Sequence, residues 1–288
     1  MKLALLDGLR LAAVRDGMAV DVTAALPWAH DADPLTAGWW RRLCRDFAEA
    51  RPALEEAAGT GRAVPLDSAR LLAPVLNPSK IVACASNYAD HVAEMHEVQR
   101  RTLGRVESWM MEFDVFLKAP SSISGPGDDI VLPPEVVAAG QEIHHESELV
   151  VVIGSGGRDI PEDTALGHVF GYTLGLDITV RSAADRSRRK SYDTFSPIGP
   201  WVVTADEAGD PGDLDIVLQV NGEDRQRVNT ATLVTKVPAI VSYASRMMTL
   251  LPGDVIFTGA PPGVGAIHRG DRLTTWISRI GPMTLDVR

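Results

Sequence analysis

Gln141-Glu142-Ile143-His144-His145-Glu146-Ser147-Glu148-Leu149-Val150-Val151-Val152-Ile153-Gly154 opens with acids and histidines and ends in an apolar, β-branched run closed by glycine. The second half reads as a buried strand. Side chains alternate along a strand, so Glu146 and Glu148 share a face that continues into Val150 and Val152. Two carboxylates at the mouth of such a face repel each other and lose hydration unless positive charge compensates. Two environments satisfy them: a protruding, hydrated strand end, or a divalent cation held between them. A second apolar run, residues 169–176, ends at Asp177, where an acid serves either as a third metal ligand or as the cap of the next helix.

The chain has 288 residues, enough for one large domain or a main domain with a small one attached. No apolar run reaches transmembrane length, and Asp7 interrupts the N-terminal apolar run too soon for a signal peptide. Cys44 and Cys84 are the only cysteines, which excludes a disulfide framework and a thiolate metal cluster and makes a cytoplasmic enzyme the expectation. A net charge of −10 argues against a nucleic-acid partner. The one basic cluster, Arg186 with Arg188-Arg189-Lys190, reads either as a solvated helix face or as the cationic side of an anion pocket.

Asp7-Gly8 and Asp16-Gly17 separate short apolar runs and predict a small β-meander over residues 1–26. Trp39, Trp40, Leu43, Phe47, Ala50 and Leu54 recur at helical spacing within 35–58, where one or two helices pack and the tryptophans belong to core. A domain boundary is expected near residue 75. Residues 81–85 form a strand, Ser86-Asn87 are N-cap candidates, and 88–98 a helix on which His91 and Glu94 lie three apart, able to touch. A carboxylate beside an imidazole orients it and raises its basicity, as a general base requires; on a solvated helix face the same pair is ornamental. Residues 99–112 are unassigned and suit a segment covering a site. Strands are expected at 113–118, 130–132, 201–204, 215–221, 225–228, 255–258, 273–277 and 283–287, with a helix over 238–250. Gly154 to Gly157 lacks the third glycine and the helix of a dinucleotide fingerprint, and Gly259 to Gly265 lacks the Gly-Lys-Ser/Thr of a phosphate loop.

Taken in order, Ser86-Asn87-Tyr88-Ala89-Asp90-His91 with Glu94, Phe116-Leu117-Lys118-Ala119-Pro120-Ser121-Ser122, His145-Glu146-Ser147-Glu148-Leu149, Gly171-Tyr172 with Asp177-Ile178-Thr179-Val180-Arg181, Lys190-Ser191-Tyr192-Asp193, and Leu251-Pro252-Gly253-Asp254-Val255-Ile256-Phe257-Thr258-Gly259 resemble the fumarylacetoacetate hydrolase family. The resemblance spans roughly residues 76 to 288. It implies an α+β, β-rich fold: a mixed β-sandwich or β-roll catalytic domain (76–288) behind a small N-terminal α+β domain (1–75). It implies Glu146, Glu148 and Asp177 as ligands of Mg²⁺ or Mn²⁺, with Ca²⁺ a crystallographic substitute. It implies His91, Glu94 and Lys190 as catalytic residues: a dyad that activates water and a lysine that stabilises an oxyanion. Arg181, Gln226, Lys118, Ser122 and Ala260 are its substrate-binding candidates. The implied reaction is metal-dependent hydrolysis of a C–C bond in an acylpyruvate-like 2,4-dioxo acid. Decarboxylation or isomerisation of a related diacid, or non-catalytic binding of a 2-oxo acid, are the alternatives. The implied partner is a small dicarboxylic or 2-oxo acid, with no nucleic acid or membrane, in a homodimer.

The sequence also departs from the family pattern. Ser182 stands where an acid commonly follows the arginine, Ala260 replaces a threonine, Ser86 an arginine or leucine, and His144-His145 an aspartate and tyrosine. These changes leave the metal set intact and fall at positions expected to touch substrate. His145 points to the opposite strand face from Glu146.

Overall fold

Ser147–Ile153 lies deep inside a twelve-stranded mixed sheet in a computed structural model that describes residues 1–33, 38–106 and 108–288. Residues 34–37, where the first expected helix begins, and residue 107 of the unassigned 99–112 segment lie outside the described residues. One edge of Ser147–Ile153 pairs antiparallel with Val169–Leu176, placing Glu148 opposite Gly175; the other pairs antiparallel with Val255–Phe257. Val255–Phe257 then runs parallel to Ile81–Ala85, which pairs with Asp114–Lys118. Every residue of Ser147–Ile153 is buried, and residues 149–153 are apolar on both faces as a central strand requires. Val150 and Val152 pack with Leu3, Leu5, Trp40 and Phe257, while Leu149, Val151 and Ile153 join Tyr172 and Ile240 on the opposite face. Each such aliphatic side chain contributes roughly 1.5–3 kcal/mol by leaving water.

The expected N-terminal meander forms from Lys2–Leu6, Arg10–Arg15 and Met18–Asp21. The Asp16-Gly17 turn has both residues left-handed, φ 49° and 73°, as a two-residue hairpin requires. Lys2–Leu6 also pairs with Ser196–Thr204, Leu3 opposite Val202, so backbone hydrogen bonding runs across position 75 into the large sheet. Helices Gly38–Arg45 and Phe47–Thr60 cover this region, with Trp39, Trp40, Leu43 and Leu54 in the core that Val150 and Val152 share.

Two smaller sheets complete an α+β, strand-rich architecture in which no sheet closes into a barrel. Glu223–Asn229, Asp215–Val220, Arg272–Ile277 and Gly281–Asp286 form one, its first hairpin turning at Asn221-Gly222 as expected. Ile143–His145 with Thr179–Val180 and Gly265–Ala266 forms the other. The stretch quoted first is therefore split at Glu146: its histidines pair in the small sheet and its valines in the large one.

Three local expectations change. The helix over the site runs Ala89–Leu103, five residues beyond 98, and ends at Gly104 with φ 71°. Tyr88 occupies its N-cap position; Asn87 instead donates from Nδ2 to the carbonyls of Thr235 and Thr258 and accepts from Thr235 N–H. At 130–132 a single bridge, Ile130 to Val287, replaces a strand, because Pro133-Pro134 end the extended run.

Candidate active site

Glu146, Glu148 and Asp177 converge. One carboxylate oxygen from each lies within 4.8 Å of the others, and all three side chains are buried. The hydrated reading of the strand end is thereby excluded. Glu148 leaves the sheet face that Val150 and Val152 continue, Glu146 sits at the break between the two sheets, and Asp177 ends Val169–Leu176. The Asp177 backbone N–H donates to the Glu146 carbonyl at 2.8 Å and fixes the two chain segments together.

Cations surround two of the three acids. Glu146 accepts from Arg181 Nη2 at 2.6 Å and Lys190 Nζ at 2.7 Å. Asp177 accepts from Lys118 Nζ at 2.6 Å and also from Lys190, whose third donor goes to Thr179 Oγ1 at 2.6 Å. Lys118 gives its remaining bond to the Phe195 carbonyl. Burial opposes ionisation of Glu146, but the Lys190 and Arg181 charges overcome it and hold its carboxyl well below the usual range. Glu148 is the opposite case. Its one described hydrogen bond comes from Gly259 N–H at 2.6 Å, and burial with Asp177 and Glu146 nearby pushes its carboxyl well above the ordinary value. A divalent cation among the three oxygens would supply the charge Glu148 lacks, and an all-oxygen donor set suits Mg²⁺ or Mn²⁺.

His91 and Glu94 face this cluster from the Ala89–Leu103 helix. His91 Nδ1 and Glu94 Oε2 are 3.2 Å apart, and Gly263 N–H approaches both Glu94 oxygens at 3.1 Å. With Nδ1 committed, Nε2 is the nitrogen left for the cleft. His91, Glu146, Arg181, Lys190 and Ala260 line one cleft with Cys84, Met95, Phe116, Arg186 and Arg189.

The other expected substrate contacts divide. Arg181 and Ala260 reach the cleft; Gln226 and Ser122 do not line it. Gln226 Oε1 accepts from Ser147 N–H at 3.0 Å and pairs with His145 Nδ1 at 3.3 Å, while Nε2 donates to Pro261 O at 2.9 Å. It ties the metal strand to the glycine-rich loop. Ser122 Oγ bonds Ala119 O and Ser196 Oγ, and the Lys118 ammonium braces Asp177 from behind.

The sequence reading missed what that glycine-rich loop does. Gly259 and Gly263 present their N–H groups to Glu148 and Glu94, one acid from each half of the site. Both have positive φ, 107° and 90°, and a Cβ would meet Asn87 Cβ at 2.7 Å or Arg225 O at 1.9 Å, so neither position admits another residue. Arg186 and Arg189 were ambiguous and are buried, which selects the anion-pocket reading of the basic cluster. Glu142 was also missed. It bonds Arg101 on the helix and His144 Nε2 at 2.8 Å, strapping the helix to the strand that leads to Glu146.

With this geometry in view, residues 80–288 match the family model described as fumarylacetoacetate (FAA) hydrolase C-terminal. The chain belongs to this family. It is 41% identical over 225 residues to a maleylpyruvate hydrolase of Aquipseudomonas alcaligenes, covering 77% of each chain. A solved maleylpyruvate hydrolase from Sphingobium sp. SYK-6, in complex with manganese(II) ion and pyruvate, superposes with a TM-score of 0.86 at 40% identity, covering 100% of this chain and 98% of that one. Oxaloacetate tautomerase FAHD2A, mitochondrial, of Bos taurus is 38% identical over 232 residues, 76% of this chain and 69% of that protein.

Proposed function

We propose that this family member is a metal-dependent hydrolase of C–C bonds in acylpyruvate-type 2,4-dioxo acids, working with Mn²⁺ or Mg²⁺ at Glu146, Glu148 and Asp177. One observation carries the reading: a buried carboxylate triad, one member of which lacks a cation, opens through Glu146 onto a cleft that His91, paired with Glu94, also lines. The maleylpyruvate hydrolase relatives, one of them holding manganese and pyruvate, support it. When bound, the cation would act as a Lewis acid on the 2-oxo acid end of the substrate.

The chain's own groups do the rest. Glu94, braced by Gly263 N–H, fixes His91 so that Nε2 takes a proton from water as the oxygen attacks the acyl carbonyl. Lys190 supplies positive charge where the oxyanion develops. The C–C bond then breaks, its electron pair leaving with the pyruvyl half, and the imidazolium returns the proton to that carbon. The products are a carboxylic acid and pyruvate. Gln226, Ser122 and Lys118 act as positioning residues, holding the loop, a neighbouring turn and Asp177. A division near residue 75, a homodimer and a cytoplasmic location belong to the same proposal and rest on the family resemblance; light scattering tests the second. No described helix is long and apolar enough to cross a membrane.

A second reading keeps the site and uses only its proton transfer, as the resemblance to an oxaloacetate tautomerase suggests. Product analysis separates the two. With Mn²⁺ present, an acylpyruvate should yield pyruvate plus the matching acid, and chelation should abolish the reaction. Enol–keto exchange of oxaloacetate without acylpyruvate cleavage would establish the tautomerase instead, and release of CO₂ a decarboxylase.

A further inference from the structure

Three arginines stand beside the carboxylate cluster, and they are not equivalent. Arg181 is committed to Glu146 at 2.6 Å. Arg186 lies over the Phe116 ring, 5.9 Å from its centroid, with Asp114 and Asp185 as compensating charges. Among the described residues Arg189 makes no direct bond to an acid; Glu146 and Asp177 act on it only at a distance. It is only 9% exposed, its Nε has no hydrogen-bond partner, and its guanidinium forms no ion pair among the described residues. The short turn Arg186–Arg189, opened by the Asp185 carboxylate accepting from Ser187 N–H, sends positions three apart inward and leaves Arg188 exposed.

A buried guanidinium without a counter-ion is costly, and like charges nearby add to the cost. Burial and the Arg181 charge bring Arg189 down to about 10, which still leaves it protonated at neutral pH. The protein's own anions do not neutralise it. Glu146 is bonded to Arg181 and Lys190, and Asp177 to Lys118 and Lys190. Two acids are thus already met by three cations, Arg181, Lys118 and Lys190, and Arg189 is surplus positive charge in the cleft wall even before a divalent cation arrives.

We propose that Arg189 receives a carboxylate at the far end of the acyl arm, making it the residue that selects dicarboxylic acylpyruvates over those with a neutral arm. The pyruvyl carboxylate belongs at the other end, by the metal triad. A planar guanidinium with free donors matches a carboxylate in two parallel bonds, a match a neutral arm cannot satisfy. The assignment rests on the hydrolase reading and extends it to substrate choice.

The test compares kcat/KM for maleylpyruvate, whose arm ends in a carboxylate, with acetylpyruvate, whose arm is a methyl group, in Mn²⁺-loaded enzyme. Wild type should favour maleylpyruvate. In Arg189→Gln the ratio of the two kcat/KM values should fall about 10–100-fold, the worth of a charge-assisted pair, mostly through a raised KM for maleylpyruvate. Arg189→Lys, which keeps the charge and loses the fork, should retain an intermediate ratio. An Arg189→Gln ratio within about twofold of wild type, both substrates falling together, overturns the assignment. If Arg189→Gln gives no cooperative melt, wild type and Arg189→Lys decide: a wild-type ratio at or below one, or equal ratios in the two, overturns it. A wild type that cleaves neither substrate removes the hydrolase reading itself, and this inference with it.

Discussion

The two sides of the cleft are held in different ways. On the sheet side, Glu146, Glu148 and Asp177 hang from strands with every neighbouring residue buried, and Lys118, Lys190 and Arg181 make four bonds to two of them. On the helix side, His91 is tied by one contact of 3.2 Å, and Glu94, 28% exposed, rests on a loop N–H. Central strands cannot shift without breaking a ladder, whereas a helix attached through a few side chains moves at small cost. The difference assigns the labour: fixed charge on the sheet, where a cation's oxygen ligands must not relax, and proton movement on the helix, where a group must approach and withdraw.

The largest expected effect breaks the sheet side. Glu148→Gln removes the one acid of the triad without a cationic partner. It should lower Mn²⁺-dependent turnover by about 10³–10⁵-fold, the several kcal/mol a Lewis acid supplies. It should also abolish the rise in melting temperature that Mn²⁺ produces in wild type. Metal-free Glu148→Gln should melt no lower than metal-free wild type, since it loses a buried, uncompensated carboxyl. A variant that still gains stability from Mn²⁺ would place the metal elsewhere.

Breaking the helix side should look different. His91→Ala should lower turnover by about 10²–10⁴-fold, the range for a positioned general base, while the Mn²⁺-induced melting shift stays intact. Turnover at the wild-type rate removes His91 from the mechanism. Loss of the melting shift in both variants would show that the two sides are one unit, and the contrast between them would fail.

How much of this was legible in the sequence divides along the same line. Strand alternation and strand ends placed Glu146 and Glu148 on one face and Asp177 at a strand end, and helical spacing placed His91 beside Glu94, because each signal is local and periodic; choosing a site over a hydrated or capping role took the family resemblance. Contacts between distant segments carry no such period. Leu3 pairs with Val202, which is why the first strands share the large sheet although their sequence reads as a separate meander. Gln226 looked like a substrate ligand, yet its amide is spent on Ser147 N–H and Pro261 O, bonds set by a register no local pattern reveals. Arg186, Arg188 and Arg189 are chemically alike in sequence; only the turn they occupy decides that two are buried and one is not. Gly259 and Gly263 lie in a stretch recognisable from sequence only by what it lacks, the Gly-Lys-Ser/Thr of a phosphate loop, because the acids they hold lie 111 and 169 residues away.

The smallest expected effect is on stability, and it sharpens the comparison through a histidine of the sheet side. His145 is 1% exposed, and burial pulls its imidazole from 6.5 down to about 4, with the Gln226 bond opposing only in part. The folded value lies below the unfolded one, so between pH 4 and 6.5 the unfolded chain holds the extra proton. Its contribution therefore makes folding less favourable as pH falls through that window, by at most about 1.4 kcal/mol per pH unit, and is without effect above it. His145→Asn cannot take up that proton in either state. Urea denaturation of metal-free protein at pH 6.5, 5.5 and 4.5 should show the variant less stable than wild type at the highest pH, because the contact with Gln226 is weakened. That gap should close as the medium becomes acidic, because only wild type carries the penalty. Two curves that stay parallel from pH 6.5 to 4.5 would mean that His145 titrates alike in both states, and that the sheet side is less sealed from water than its burial implies.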